Sequence, residues 1–533
     1  MKNTARKLMC LVLVLLFMLA GCGNGEYKIK DKKLKADSAV QDNNRVFYQI
    51  FVGSFSDSNG DGTGDLRGII NRFDYLNDGK PNSGKSLGVG GIWLTPIFKS
   101  PSYHKYNVDD YYQIDPLFGT EEDLKELIAL CRERDVKLIL DLPINHTSTS
   151  NAWFQNFKSA HLNGNSSDEY YDFYSYCLKT DTVPAGRTFS PIAGTNIRYE
   201  CNFDGSMPEL NYDSPAVRSA VLDIAKHYLN LGIDGFRFDA AMYIYYGDNT
   251  SSAAFWDWYI GELKGIKEDI YTVAEIWSSD SVTDYYYSAT NCFDFTMSQA
   301  NGLIATAAKG GNVNTYTAYV EKYLNRVKAL NANATIVPFI ANHDTDRAAG
   351  YLTVSSGQMQ VAANLYLLSP GSPFIYYGEE IGMKGSRGSD NTDANRRLAM
   401  LWGDDDTVKN PIGSTYDSTK QTNGTVADQI GDENSLYNYY KKLLMIRNAN
   451  PEIASGEYKA LRFSDTKLGG FTSTYGGSTV AVLHNTTTEA ITVDLAEVTD
   501  LHFSEIRAFI GMNGVTLEGT ILTLGAQTSV VLK

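Results

Sequence analysis

Eight short runs rich in β-branched and aromatic residues recur before residue 380, and amphipathic segments separate most of them. That alternation constrains the fold more than any other feature. The runs are Val46–Phe55, Gly91–Phe98, Val136–Ile144, Ile233–Ala240, Ile270–Trp277, Cys292–Met297, Thr335–Asn342 and Pro373–Tyr377. Between them, Gly119–Asp135 carries Leu124, Leu127, Ile128 and Cys131 on one helical face. Ser214–Gly232 opens with Ser-Pro and closes with Gly, which are start and stop signals for a helix. Strands alternating with helices in this number predict an α/β fold, a (β/α)₈ TIM barrel, over residues 45–145 and 214–456. Two stretches break the rhythm. Residues 146–213, after the third strand, form an irregular insert rich in Tyr, Asn, Ser and Gly. Residues 457–533 replace alternation with strand-like runs such as Ser478–His484 and Thr528–Leu532, which predicts a C-terminal antiparallel β-domain.

The first 21 residues are a targeting device rather than part of the fold. Lys2, Arg6 and Lys7 precede an apolar run from Leu8 to Ala20, too short to span a bilayer as a permanent helix. Leu19-Ala20-Gly21-Cys22 resembles a bacterial lipobox. The resemblance implies cleavage before Cys22, a diacylglycerol on its thiol, and a chain anchored to a bacterial membrane outside the cytoplasm. A plain secretory signal is the alternative. Residues 22–44 read as a tether without periodicity. No later stretch reaches 18 apolar residues, so the remainder is expected to be soluble.

With 62 acidic against 47 basic side chains the chain carries −15, and removal of three positive residues with the leader gives −18. This acidic balance argues against a nucleic-acid partner. Beyond Cys22 the mature chain holds Cys131, Cys177, Cys201 and Cys292 with no CxxC, which argues against zinc. Cys177 and Cys201 are a candidate disulfide. A monomer is expected.

In a barrel of this kind the chemistry lies at the C-terminal ends of the strands, so acids there carry more weight than the rest. The fourth run reads Gly235-Phe236-Arg237-Phe238-Asp239, the fifth Ala274-Glu275-Ile276-Trp277, the seventh Asn342-His343-Asp344, and the third Asp141-Leu142-Pro143-Ile144-Asn145-His146. A carboxylate pair without a His or Cys metal cluster suits glycosidic cleavage: one carboxylate attacks, the other holds a proton for the leaving sugar. Arg237 lies two residues before Asp239 on a strand and shares its face. Asp239 is then the ionised nucleophile and Glu275 the proton donor.

These segments, GFRFD, AEIW, NHDTDR and DLPINH, resemble the signatures of the α-amylase family, glycoside hydrolase family 13, in order and spacing over residues 45–533. The resemblance implies Asp239 as nucleophile, Glu275 as general acid/base and Asp344 as transition-state stabiliser. His146 and His343 would bind sugar hydroxyls, and Arg237 would orient Asp239. In Tyr103-His104-Lys105-Tyr106, similar to the family's loop after the second strand, Tyr106 would stack on the sugar with His104 beside it. The insert corresponds to the family's domain B and the C-terminal region to its β-sandwich domain C. The implied reaction is retaining hydrolysis of an α-glucosidic bond.

Asp57-Ser58-Asn59-Gly60-Asp61-Gly62-Thr63-Gly64-Asp65 places oxygen ligands at alternate positions, like the first half of an EF-hand loop. Gly68 stands where an EF-hand would have its Glu, so the loop instead resembles a calcium loop after the first strand of some amylase-family enzymes. Calcium is the cofactor expected, held by Asp57, Asn59, Asp61, Asp65 and the Thr63 carbonyl. Ala241-Met242-Tyr243 stands where many α-amylases have a Lys-His pair, which argues against a second calcium there. Met207-Pro208-Glu209-Leu210-Asn211 resembles the MPDLN-type segment of an intermediary group, and Ala240 resembles α-1,4-active members. The resemblance thus implies an α-amylase cutting internal α-1,4 bonds of starch and maltooligosaccharides. The alternatives are an α-glucosidase or oligo-1,6-glucosidase, a transglycosylase, or, in another class, a non-catalytic sugar-binding lipoprotein. The Tyr-rich stretch 170–176 is read equally as domain-B packing or a surface sugar site.

Overall fold

The structure, a computed structural model, describes residues 28–32 and 44–533. The leader, Cys22 and most of the segment read as a tether lie outside the described residues.

Eight parallel strands form the barrel: β1 (Phe47–Ile50), β2 (Gly91–Leu94), β3 (Lys137–Leu142), β4 (Gly235–Phe238), β5 (Tyr271–Ala274), β6 (Asn291–Phe293), β7 (Ile336–Val337) and β8 (Phe374–Tyr376). Neighbours pair in sequence, β8 pairs with β1, and a parallel bridge from Phe339 to Phe374 joins the last two. Seven strands lie inside their sequence runs and are shorter than them; β6 begins one residue before its run, at Asn291, and is also shorter. In β7 the ladder stops at Pro338, which has no N–H to donate, and only its carbonyl still accepts, from Phe374 at 3.0 Å.

The barrel interior is aromatic. Phe47, Trp93, Tyr271, Phe293, Phe339 and Phe374 form one cluster, with Phe47 stacked on Phe374 at 4.8 Å between ring centres. Gly91 makes room for this: a Cβ there would lie 2.4 Å from the Phe47 ring. A larger core lies between strands and helices. Helix Glu121–Glu133 begins with a Thr120/Asp123 capping box and buries Leu124, Leu127, Ile128 and Cys131, the face the sequence predicts. Helix Pro215–Leu231 ends at Gly232, which takes φ 113°.

The insert after β3 contains helix Ala152–Leu162 and a three-stranded antiparallel sheet with Ile197–Glu200 between Tyr176–Leu178 and Phe189–Pro191. Several of its tyrosines pack inward. Tyr174 is fully buried, with its hydroxyl 2.7 Å from Thr147 Oγ1. The candidate disulfide is not formed, because both Cys177 and Cys201 are free thiols. The register places Cys177 opposite Arg198, and the Cys201 thiol instead donates to Ser190 Oγ at 3.2 Å.

The C-terminal region is a two-sheet antiparallel β-domain around Leu461, Leu483, Leu522, Leu524 and Val530. Its six-stranded sheet holds a surprise at one edge. Lys30–Asp31, expected to belong to an unstructured tether, adds a strand antiparallel to Ile506–Gly511. Edge strands present unpaired backbone groups, and this segment satisfies part of one.

Candidate active site

Both candidate catalytic acids at the mouth follow the last residue of a strand. Asp239 comes directly after β4. The chain then turns sharply through Ala240, a non-glycine residue in the left-handed region at φ 46°, a conformation kept only where surroundings enforce it. Glu275 follows β5 in the same way. Arg237, on β4 itself, has a fully buried side chain and points into the same space.

Arg237 organises the floor. Its Nη1 lies 2.7 Å from Asp141 Oδ1 and 2.7 Å from Asp239 Oδ1, while Nη2 pairs with Glu275 Oε2. The sequence assigns this cation to Asp239 alone; the structure shares it among three carboxylates. The reason is geometric: β3, β4 and β5 are neighbours in register, so Asp141, Arg237 and the strand ends converge. Burial pushes the Asp141 carboxyl up, and the charge of Asp239 adds to this, against Arg237 and the Tyr106 hydroxyl.

Asp344 lies across the cleft. Its carboxylate meets His343 Nε2 at 2.9 Å and Arg397 Nη2 at 2.7 Å. Burial works against its charge, but His343, Arg397 and Arg237 hold it well below the usual carboxylate range. Gln49 Nε2 lies 2.7 Å from His343 Nδ1. Nδ1 therefore accepts, and the ring proton sits at Nε2 facing Asp344 and the Tyr106 oxygen, 2.6 Å away. Burial also favours the neutral ring.

Tyr106 sits at the floor with its hydroxyl donating to Asp141 Oδ2 at 2.8 Å. His104 accepts at Nδ1 from the Tyr106 backbone N–H at 3.2 Å, and burial with Arg397 nearby pushes its pKa down to about 3. His146 is buried, and its Nε2 has no hydrogen-bond partner among the described residues. An orphaned ring nitrogen at a cleft is a place for a ligand hydroxyl. All eight cleft residues singled out by sequence thus meet at one mouth: Tyr106, His104, His146, Arg237, Asp239, Glu275, His343 and Asp344.

The Asp57–Asp65 loop is ordered by its own side chains. Asp57 accepts from the backbone N–H of Asn59, Gly60 and Gly62 at 3.0, 2.8 and 2.7 Å, and from Thr407 Oγ1 at 2.6 Å. Burial opposes its charge, but these bonds hold its pKa below the usual value. Asn59 and Asp61 accept from the N–H groups of Asp61 and Thr63 at 2.9 and 2.7 Å. Asp65 caps the next helix, taking Gly68 N–H at 2.6 Å, and also binds Ser58. Gly68 is required there, since a Cβ would lie 2.0 Å from the Ser56 carbonyl oxygen. Carboxylate, amide and carbonyl oxygens at alternate positions fit a hard cation in donor type. Among the described residues, however, no three His, Cys, Asp or Glu side chains are already gathered as a metal-binding group.

The family described as alpha amylase, catalytic domain, matches residues 49–456. The chain belongs to the α-amylase family. A relative from Dictyoglomus thermophilum, "Alpha-amylase 3", is 34% identical over 447 residues, covering 83% of this chain and 84% of its own. A "4-alpha-glucanotransferase" from Thermotoga maritima is 32% identical over 356 residues, covering 65% and 74%. Among solved structures, "Eubacterium rectale Amy13B" superposes with a TM-score of 0.85 at 33% identity, covering 93% of this chain and 97% of that one.

Within this α-amylase-family cleft, sequence reasoning missed two residues. Asp141 stands inside a quoted signature, yet only its place beneath Arg237 shows that it shares the cation. Arg397 lies outside every motif. Its Nε donates to the His343 carbonyl at 3.0 Å and its Nη1 to the Tyr103 hydroxyl at 3.0 Å, so it positions Asp344. No local pattern marks it, since the loop that carries it follows the eighth strand and returns across the mouth.

Proposed function

We propose that this family member is a retaining α-glucan hydrolase that cleaves internal α-1,4 bonds of starch and maltooligosaccharides. The observation that carries the mechanism is the guanidinium shared by Asp239 and Glu275. Two carboxyls served by two nitrogens of one guanidinium are close neighbours, which favours the retaining separation of about 5–5.5 Å over the wider inverting one. Asp239, held by Arg237, attacks the anomeric carbon as the glycosidic C–O bond breaks. Glu275 gives its proton to the departing oxygen; Arg237 engages Oε2, so the proton is carried on Oε1. Water then yields a proton to Glu275, attacks the same carbon and releases Asp239. Asp344, fixed by His343 and Arg397, stabilises the positive charge that develops on the sugar. His146 Nε2, His343 and His104 meet sugar hydroxyls, and Tyr106 supplies the ring face beside them.

Endo-acting α-1,4 hydrolysis is supported by the Dictyoglomus relative named as an α-amylase and by Ala240 after the nucleophile. The glucanotransferase relative favours transfer to a second sugar as the competing reading. Digestion of maltoheptaose, pullulan and isomaltose separates them: a series of shorter maltooligosaccharides with isomaltose intact is expected. Isomaltose cleavage, or products longer than maltoheptaose as the main output, would overturn the assignment.

Calcium at the Asp57–Asp65 loop belongs to the same reading, held by Asp57, Asn59, Asp61, Asp65 and the Thr63 carbonyl. Its contribution is to stabilise the loop after β1. A ligand bound only by the folded state adds about 2.7 kcal/mol at a hundred times its Kd. Millimolar calcium is therefore expected to raise the melting temperature of the parent protein and not of Asp61→Ala; an equal rise in both would remove the site. Attachment to a membrane through a lipid on Cys22 also belongs to this reading.

A further inference from the structure

The strand Lys30–Asp31 lies a short way along the chain from Cys22. It is held at several points. Lys32 N–H donates to the Phe509 carbonyl at 3.3 Å, and Ile29 N–H donates to Asn434 Oδ1 at 2.9 Å while its side chain is buried in the main core. Asp31 meets Lys442 at 3.5 Å and Lys32 meets Glu505 at 3.6 Å. The segment is therefore fixed to the C-terminal sheet on one side and to helix Leu436–Asn448 on the other.

Six chain steps, with five residues between, lead from Cys22 to Lys28, the first described residue. At about 3.3–3.6 Å per residue they reach roughly 20 Å. A folded chain of this length measures roughly 60 Å across. A lipid on Cys22 would thus enter a bilayer close to this edge, and the molecule could not roll freely about its anchor. Charge agrees with that placement. Lys28, Lys30, Lys32, Lys33 and Lys35 crowd into eight residues of a chain whose net charge is −15, with Asp31 the one acid among them. Lys441 and Lys442 lie on the adjoining helix. Lysines beside a lipid anchor are attracted to anionic headgroups. Neither the strand Ile506–Gly511 nor this helix carries a residue of the cleft.

We propose that the docked N-terminal strand orients the enzyme: it presents the edge formed by Lys28–Lys32, Ile506–Gly511 and helix Leu436–Asn448 to an anionic phospholipid surface and leaves the barrel mouth uncovered for a polymer. This rests on the lipid-anchor reading, and the test separates the two. The lipidated full-length mature protein is placed in phosphatidylglycerol/phosphatidylcholine vesicles containing a phospholipid with a photoactivatable headgroup, and cross-linked peptides are mapped by mass spectrometry. A parallel sample carries a synthetic maleimide lipid on Cys22 in a Cys177→Ser background, so orientation is read even where the natural chain bears no lipid. In both, peptides from residues 28–32, 441–442 and 505–511 should exceed several-fold those from around two half-exposed residues near the cleft, Phe203, whose ring lies 5.3 Å from that of His146, and Trp277, two residues after Glu275. The excess should shrink without phosphatidylglycerol. It should vanish in Ile29→Asp/Lys32→Pro, which removes the buried side chain and the N–H donor, with activity on soluble starch retained. Equal labelling around Phe203 and Trp277, indifference to phosphatidylglycerol, or an excess surviving in the double variant would each overturn the proposal. If only the natural chain fails to bind vesicles, the anchor is wrong and the orientation stands.

Discussion

Asp239→Asn is expected to lower turnover of starch by about 10⁴-fold or more, the scale on which loss of a covalent nucleophile disables other enzymes. Glu275→Gln should cost about 10²–10⁴-fold on the same substrate, the range for a single general acid. The two losses differ in kind, and an activated aryl glycoside exposes the difference. Its phenolate leaves without protonation, so bond cleavage survives in Glu275→Gln while Asp239→Asn stays inactive on both substrates. A burst of phenolate followed by slow turnover is expected from Glu275→Gln, because the second half of the reaction still needs a base to activate water. The shared guanidinium fits that order: it holds Asp239 in place, whereas Glu275 must alternate between two protonation states beside it. If Asp239→Asn kept near-parental turnover, or if both variants responded equally to the aryl leaving group, the assignment of roles would fail. Measuring both substrates at saturating concentration keeps any binding defect out of the comparison.

The barrel was legible because its cause is local. Each strand needs only a short buried run, each helix a stripe and a cap, and their alternation leaves few topologies. The strand-end acids were legible for the same reason, since position after a run already places them at the mouth. Shared and distant contacts were not. Arg237 reaches Asp141 and Glu275 through register between three strands, and Arg397 reaches Asp344 from a loop more than fifty residues away. Cys177 and Cys201 looked like partners by closeness in sequence, but strand pairing set Cys177 opposite Arg198 instead. Lys30–Asp31 carries no pattern of its own: two residues cannot show periodicity, and the strand exists only because a sheet edge hundreds of residues away accepts it.

Arg237→Met tests the floor of the cleft as a structural element as well as a catalytic one. The side chain is fully buried and compensates three carboxylates, one of them Asp141, itself fully buried. Removing one partner from a buried ionic cluster typically costs about 3–5 kcal/mol, because the charges left behind have neither water nor a counter-ion. The variant should therefore melt several degrees below the parent at neutral pH as well as losing activity. The remedy is specific. Without the guanidinium, Asp141 binds a proton more readily in the folded than in the unfolded chain, so acidification should recover part of the lost stability in Arg237→Met. Asp141→Asn in the same background should recover it without acid. A surface pair behaves otherwise: breaking Arg67 from Asp123 and Glu126, where the arginine side chain is 39% exposed, should change stability by under about 1 kcal/mol. Thermal melts of the four proteins across pH 5 to 8, roughly the window between an unperturbed carboxylate and a neutral histidine, distinguish these outcomes. A melting temperature for Arg237→Met equal to the parent's, or one that Asp141→Asn leaves unimproved, would mean that Arg237 serves catalysis without holding the strand ends together.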